Sequence, residues 1–184
     1  RFSPALPLQW TSLLQRSPMG SMVKVLAIYQ RPFWRKRGLN GLGIGPLPTL
    51  ELTVDSSAPG GPGILASFIA GERAVRWQRL GEAQRRQAVL DDLATWWGPQ
   101  AAEPDDLILQ NWNEESWSTG AFTSFVTPGT WTTYGPIWQR SHGRVIWAGT
   151  EAASRWPGYF EGAIEAGLAA AEQVRGLLGG RPAT

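Results

Sequence analysis

A lysine inside an apolar run is the first residue whose type and place invite chemistry. Of the 17 Lys and Arg residues only two are lysines, Lys24 and Lys36. Lys36 stands in the charged patch RPFWRKRG and reads as solvated. Lys24 stands in MVKVLAIY, residues 22–29, whose β-branched content and alternation predict a strand. In a strand Met22, Lys24, Leu26 and Ile28 share one face, and Val23, Val25, Ala27 and Tyr29 share the other. Both faces are apolar. A buried ammonium is costly unless it is paired or gives up its proton. Lys24 is therefore either a working amine or a lysine on an edge strand that snorkels to water.

The second constellation is aromatic. NWNEESW supplies Trp112, GAFTSF supplies Phe122, and WPGYF supplies Trp156, Tyr159 and Phe160. Each lies near a glycine or at a strand end, where side chains line clefts. Singly, each is an ordinary core residue; together they can form an aromatic cage for an amine or a flat ring. With 11 tryptophans in the chain, a Trp-rich core is the plainer alternative. The last of these aromatics sit in RVIWAGTEAASRWPGYFEGAIEAGLAAA, residues 144–171. Arg144–Ala148 reads as a short buried strand and about 158–178 as a helix rich in Gly and Ala. A strand that feeds a helix through a glycine loop aims backbone N–H groups at an anion or a polar cofactor edge.

Other chemistries are excluded early. The chain has no cysteine, hence no disulfide, thiol redox centre or thiolate metal site. Its only histidine, His142 in QRSHGR, reads as an exposed turn and cannot build a zinc site or a Ser-His-Asp triad. The net charge is only +2. The densest basic group, Arg73, Arg76, Arg79, Arg85 and Arg86, has helical spacing and reads as a solvated face, so no nucleic-acid partner is expected. No apolar run is long enough to span a bilayer. RFSPALPLQW lacks the apolar core of a signal peptide and an initiator Met, which suggests a chain that begins inside a longer product. Without cysteine, signal or anchor, a cytoplasmic location is expected.

The elements that must position these residues follow from pattern. Residues 1–21, with Pro4, Pro7, Pro18 and Gly20, read as loop. After the strand at 22–29, GLNGLGIGPLP (38–48) is a connection and not a dinucleotide loop, because prolines and no helix follow it. Residues 50–54 read as a strand, 56–63 as a turn cluster, and 64–71 as a buried strand or the lead-in to a helix. Two helices are predicted at 72–80 and 82–97. In the second, Ala88, Leu90, Leu93, Ala94 and Trp97 carry the apolar period, and Gly98-Pro99 stops it. Residues 105–112 read as a strand, 118–131 as an irregular loop, 132–139 as a short helix, and GGRPAT as a frayed tail.

Three of these stretches, in this order, resemble the flavin-dependent amine oxidase family, which includes the monoamine oxidases. MGSMVKVLAIYQRPFWR (19–35) resembles the strand that carries the family lysine. NWNEESWSTGAFTSFVTPG (111–129) resembles the return from the substrate domain into the flavin domain. Ala148-Gly149-Thr150-Glu151 with Gly158-Tyr159-Phe160 resembles the family's C-terminal signature. The similarity runs over about residues 4–175. It implies that Lys24 holds a water against the reactive flavin nitrogen, and that Phe122 and Tyr159 are the catalytic, substrate-binding cage. It implies that Trp112, Ala148, Gly149, Thr150, Glu151, Gly158, Tyr159 and Phe160 bind the cofactor. The cofactor would be non-covalent FAD, since Ala121 stands where some members tether flavin through cysteine. Phe122 replaces a tyrosine found in some members, which keeps the aromatic face and loses the hydroxyl.

The resemblance further implies an α/β (α+β) fold with a mixed sheet, the C-terminal part of a two-domain oxidase that lacks the N-terminal GxGxxG βαβ unit. Residues 1–111 would be part of the substrate-binding domain and 112–184 the C-terminal part of the FAD-binding domain. The implied reaction oxidises a primary amine to an imine and aldehyde, with release of ammonia and hydrogen peroxide. The alternatives are an L-amino-acid or polyamine oxidase, or a non-catalytic flavin-fold remnant that serves as a binding module. No carboxylate-clamping Arg is evident in the cage, which favours simple amines, although Arg155 or the missing half could supply such a clamp. Expected partners are the amine, molecular oxygen and the N-terminal half or a chain carrying GxGxxG, with a homodimer as a further expectation.

Overall fold

A computed structural model describes residues 2–179. The elements in chain order are α1 (Leu8–Gln15), β1 (Met22–Tyr29), β2 (Gly43–Ile44), β3 (Leu52–Asp55), β4 (Gly63–Ala70), α2 (Gly71–Gln78), α3 (Glu82–Trp97), β5 (Asp106–Asn111), α4 (Thr130–Tyr134) and α5 (Phe160–Gly179), with short 3-10 turns between them. They divide into two compact units. One runs from Gly20 to Ala121; the other combines the residues before Gly20 with those from Phe122 onward. This division falls at Ala121–Phe122, whereas the domain expectation drew its boundary after residue 111, and the N-terminal stretch groups with the later unit.

The first unit is a five-stranded sheet in the order β2-β3-β4-β1-β5. The fold mixes helix and strand as expected, but every ladder is antiparallel, so the sheet itself is not of mixed direction. β1 lies between β4 and β5 and is not an edge strand. Its alternation separates the faces: Val23, Val25 and Ala27 are fully buried, whereas Lys24 is exposed. The buried face packs with Leu65 and Ile69 of β4, Ala74 and Trp77 of α2, and Val89, Leu93 and Trp97 of α3. On α3 the buried polar residue is Asp92, whose carboxylate accepts from the backbone N–H of Thr49 (2.8 Å) and Leu50 (2.7 Å). The inward stripe is therefore Val89, Asp92, Leu93 and Trp97, rotated from the one expected through Ala88 and Leu90.

At the β3 end a fully buried Trp34 donates its indole N–H to Asp55 (2.8 Å), which also accepts from Arg35 (2.7 Å) and from the Ser57 backbone (2.9 Å). Burial pushes the Asp55 carboxyl up, but the hydrogen bonds from Arg35, Ser57 and Trp34 outweigh it and hold it well below the usual carboxylate range. A depressed folded-state pKa adds stability that is complete above the unfolded-state value, near 4, and is lost as the pH falls toward the folded value. Asp55→Asn is expected to cost about 2 kcal/mol at neutral pH. The gap to the parent should shrink in urea melts below about pH 4. Parallel pH profiles for parent and variant would refute this account of Asp55.

The second unit is helical. α1 appears where the prolines suggested loop: Pro7 precedes its first residue, where a missing N–H costs nothing. Trp10 and Leu13 of α1 pack with Ile137 and Trp138, and Trp147 stacks on Trp10 at 5.1 Å between ring centroids. The strand expected at Arg144–Ala148 is not formed. The described residues of this unit offer no ladder to pair with; the stretch makes only the isolated His142–Val145 bridge, and the unit's other bridge joins Met19 and Ser124. The helix expected from about residue 158 is α5, starting at Phe160. Of the expected frayed tail, residues 180–184 lie outside the described residues.

Candidate active site

In the helical unit, Ala148, Gly149, Thr150, Glu151, Phe122, Gly158, Tyr159 and Phe160 gather around one turn. Thr150–Ala152 forms a 3-10 turn directly before the loop that leads into α5. The Thr150 hydroxyl accepts from the Gly158 backbone N–H (2.7 Å) and donates to the Tyr159 carbonyl (3.1 Å). The Glu151 carboxylate accepts from the Ser124 backbone N–H (3.0 Å) and the Thr123 hydroxyl (3.2 Å), just after Phe122. The rings of Phe122 and Tyr159 are 70% and 67% exposed, so neither serves as core. Trp156 meets Tyr159 edge-on at 6.2 Å between centroids. Ala148 and Gly149 are exposed, and the Gly149 carbonyl accepts from the Ala152 N–H (2.9 Å). Phe160, at 92% exposure, marks the N-terminal, partially positive end of α5.

Gly158 has φ +87° and Gly162 sits where a Cβ would lie 2.2 Å from the Trp156 carbonyl oxygen. The first needs the left-handed conformation and the second needs the space. Further along, Gly162, Ala166 and Ala170 are the buried face of α5. Gly167 has nothing within 4 Å of a built Cβ and is not part of that close-packed face.

Lys24 and Trp112 belong to the sheet unit. Lys24 pairs with Phe68 of β4 and Gln110 of β5, so it stands on the sheet face that the helices leave open. Half-buried or exposed Leu26, Ile28, Ile64 and Ile108 share that face, which makes Lys24 a cation on an apolar surface. Trp112 follows β5 directly and is 37% exposed. Its neighbours hold it in place. The Asn113 side chain accepts from the Met22 N–H (3.0 Å) and donates to Ser21 (3.2 Å), while the Asn111 side chain accepts from Gln78 (3.2 Å). These two asparagines, and Thr123 beside Phe122, are missing from the sequence-derived site. The alternation of Asn and Trp in NWN was the available signal, since a ring projecting from a strand end needs its flanking backbone tied down.

The sequence profile described as Flavin containing amine oxidoreductase matches residues 1–175. The chain belongs to this family of flavin-containing amine oxidoreductases. It is 46% identical over 178 residues to an L-amino acid dehydrogenase of Synechocystis sp., covering 96% of this chain and 38% of that protein. It is 38% identical to a probable flavin-containing monoamine oxidase A of Dictyostelium discoideum, covering 96% of this chain and 39% of that protein. Among solved structures, cyclohexylamine oxidase from Brevibacterium oxydans superposes with a TM-score of 0.89 at 34% identity, over 97% of this chain and 40% of that one. Putrescine oxidase bound to putrescine superposes with a TM-score of 0.86 at 28% identity, over 93% of this chain and 38% of that one. The chain thus spans about two fifths of the length of the curated relatives it matches.

Family members take a flavin, and the helical unit has surfaces that suit a flat ring system: the exposed aromatic residues Phe122 and Tyr159 beside exposed Ala148 and Gly149. A dinucleotide cradle is a strand, a glycine loop and a helix in a parallel βαβ unit. No parallel strand pair occurs among the described residues. No group of three or more metal-ligating side chains is found among them either, and no helix there is long and apolar enough to cross a membrane.

Proposed function

We propose that this chain is the C-terminal part of an FAD-dependent amine oxidase that acts on primary amines. The observation that carries the reading is the pair of outward-facing rings, Phe122 and Tyr159, on backbone segments tied to the same 3-10 turn. Two aromatic faces attract a cationic amine and, once water is excluded, favour its neutral form. In this reading Ala148, Gly149, Gly158 and Phe160 line the ring half of the cofactor with backbone and apolar surface. Trp112 serves as an aromatic wall and Lys24 as a water-holding amine. When bound, FAD supplies the two-electron oxidation of the carbon–nitrogen bond. The carbon beside the nitrogen loses a hydride equivalent, water splits the resulting imine into carbonyl and ammonia, and oxygen accepts two electrons and two protons to leave as hydrogen peroxide. Ala121 leaves no thiol for a covalent tether.

The rest of the enzyme, carrying the nucleotide-binding unit, would seat on apolar surface that this chain leaves uncovered. Phe160, Ile164, Leu168 and Leu178 form a stripe on the outer side of α5, each more than half exposed. A second substrate reading, an amino acid, is favoured by the 46% identity to an L-amino acid dehydrogenase. Against it, Arg155, the basic residue nearest to the turn in sequence, lies 3.8 Å from Glu165 and so already faces a carboxylate. A matched pair separates the readings: 2-phenylethylamine and phenylalanine differ only by a carboxylate. The amine reading expects ammonia and peroxide from the amine at a kcat/KM at least about tenfold above the amino acid, which is 1.4 kcal/mol of discrimination. The reverse order would replace it with the amino-acid reading. Acid precipitation of the enzyme should release all its yellow flavin.

A further inference from the structure

We propose that Thr150 and Glu151 are positioning residues, a two-armed clamp that sets the two aromatic rings, rather than groups that touch the cofactor. The inference rests on the reading of Phe122 and Tyr159 as the amine-binding pair. Adjacent side chains on a 3-10 turn diverge by about a third of a turn, so neighbours can grip different segments. That is what occurs here. Thr150 reaches forward to Gly158 and Tyr159 (2.7 and 3.1 Å), and Glu151 reaches back to Thr123 and Ser124 (3.2 and 3.0 Å). The Thr150 hydroxyl has one proton, and the Tyr159 carbonyl takes it. One Glu151 oxygen, Oε1, takes both bonds of the other arm.

The clamp answers a need. Rings that are about two-thirds exposed draw little orientation from packing, so the backbone must supply it. The turn that carries Tyr159 is also costly: Trp156 has φ +56° and Gly158 φ +87°. A bulky residue in the left-handed region persists only when its surroundings hold it there. Thr150 bonds the two residues that follow this bend, and the Gly162 gap lets the bend sit down on α5. The AGTE run is thus a structural link between two parts of one site that lie 37 positions apart in the sequence, at residues 122 and 159.

The test uses the amine oxidase that contains this chain, with four clamp variants and Tyr159→Ala as the reference for the cage. Thr150→Val keeps the shape and removes the hydroxyl; Thr150→Ser restores it. Glu151→Leu removes both acceptor oxygens; Glu151→Gln keeps one. Hydrogen exchange at the Gly158 amide should speed up about tenfold in Thr150→Val, and at the Ser124 amide in Glu151→Leu, with near-parent rates in Thr150→Ser and Glu151→Gln. The kcat/KM for a primary amine should fall about tenfold in the first pair and recover in the second, with flavin content and the pH profile unchanged. Unchanged exchange in Thr150→Val and Glu151→Leu overturns the clamp. So does faster exchange with undiminished kcat/KM while Tyr159→Ala lowers it. Equal losses in Glu151→Gln and Glu151→Leu, with a lost limb of the pH profile, would make Glu151 a proton-transfer group instead. Silence of Tyr159→Ala in kcat/KM marks failure of the amine-cage reading by itself, and the exchange rates still decide the clamp.

Discussion

Lys24→Met should slow the reaction of amine-reduced enzyme with oxygen by about a hundredfold, a cost in the range of one lost preorganised charged donor. The rate at which amine reduces the flavin should stay within a few-fold of the parent. The separation follows from where Lys24 stands. It projects from an interior strand onto an open apolar face, flanked across the ladders by Phe68 and Gln110. None of the ion pairs among the described residues involves it. A cation kept on an apolar surface without a counter-ion adds little to folding, so its removal should change stability by no more than about 0.5 kcal/mol. What it can do there is hold water and stabilise negative charge as oxygen takes up electrons. Methionine keeps the apolar stem at nearly the same length and removes the charge together with its N–H donors. Stopped-flow mixing of reduced enzyme with oxygen is the direct measurement. An oxygen rate equal to the parent's would strip Lys24 of this role.

How far the sequence could be read depended on the range of the interactions involved. The alternation in MVKVLAIY separated the faces of β1 correctly, because strand periodicity is local. Whether Lys24 lay on an edge was not local, since it turns on the pairing of β1 with residues 63–70 and 106–111. Tertiary bonding also set the inward face of α3. Asp92 reads as a surface carboxylate until the Thr49 and Leu50 N–H groups that need an acceptor are in view. The missed α1 begins after Pro7, a residue that starts helices as readily as it breaks them. The overread strand at 144–148 failed for want of a ladder. For the candidate site, the aromatic residues were visible by type, while the hydrogen-bond partners of Thr150 and Glu151 were hidden. The Glu151 hydrogen bonds could not be read from sequence, because their partners, Thr123 and Ser124, lie more than 25 positions away.

Gly162→Ala should reverse the usual sign of a helix substitution. Replacing glycine by alanine inside a helix ordinarily gains about 0.5 to 1 kcal/mol. Gly176, with nothing within 4 Å of a built Cβ, should behave that way and raise the melting temperature slightly. At Gly162 the added Cβ would meet the Trp156 carbonyl oxygen at 2.2 Å and its carbon at 2.9 Å. Both are backbone atoms and cannot rotate aside, and the Thr150 hydroxyl stands 3.0 Å away on the same side. The bend at Trp156 would have to lift off α5, at a cost of about 1–3 kcal/mol for an overpacked site. Lifting it moves the residues that Thr150 ties down, so Tyr159 shifts with it. A displacement near 1 Å at a substrate-positioning group can cost about a hundredfold in rate, and a loss of that size in kcat/KM for a primary amine is expected. Thermal melts and steady-state kinetics of Gly162→Ala and Gly176→Ala, side by side in the same enzyme, check both signs at once. If Gly162→Ala were as stable and as active as Gly176→Ala, the close seating of the Trp156–Tyr159 turn on α5 would not be what sets the ring.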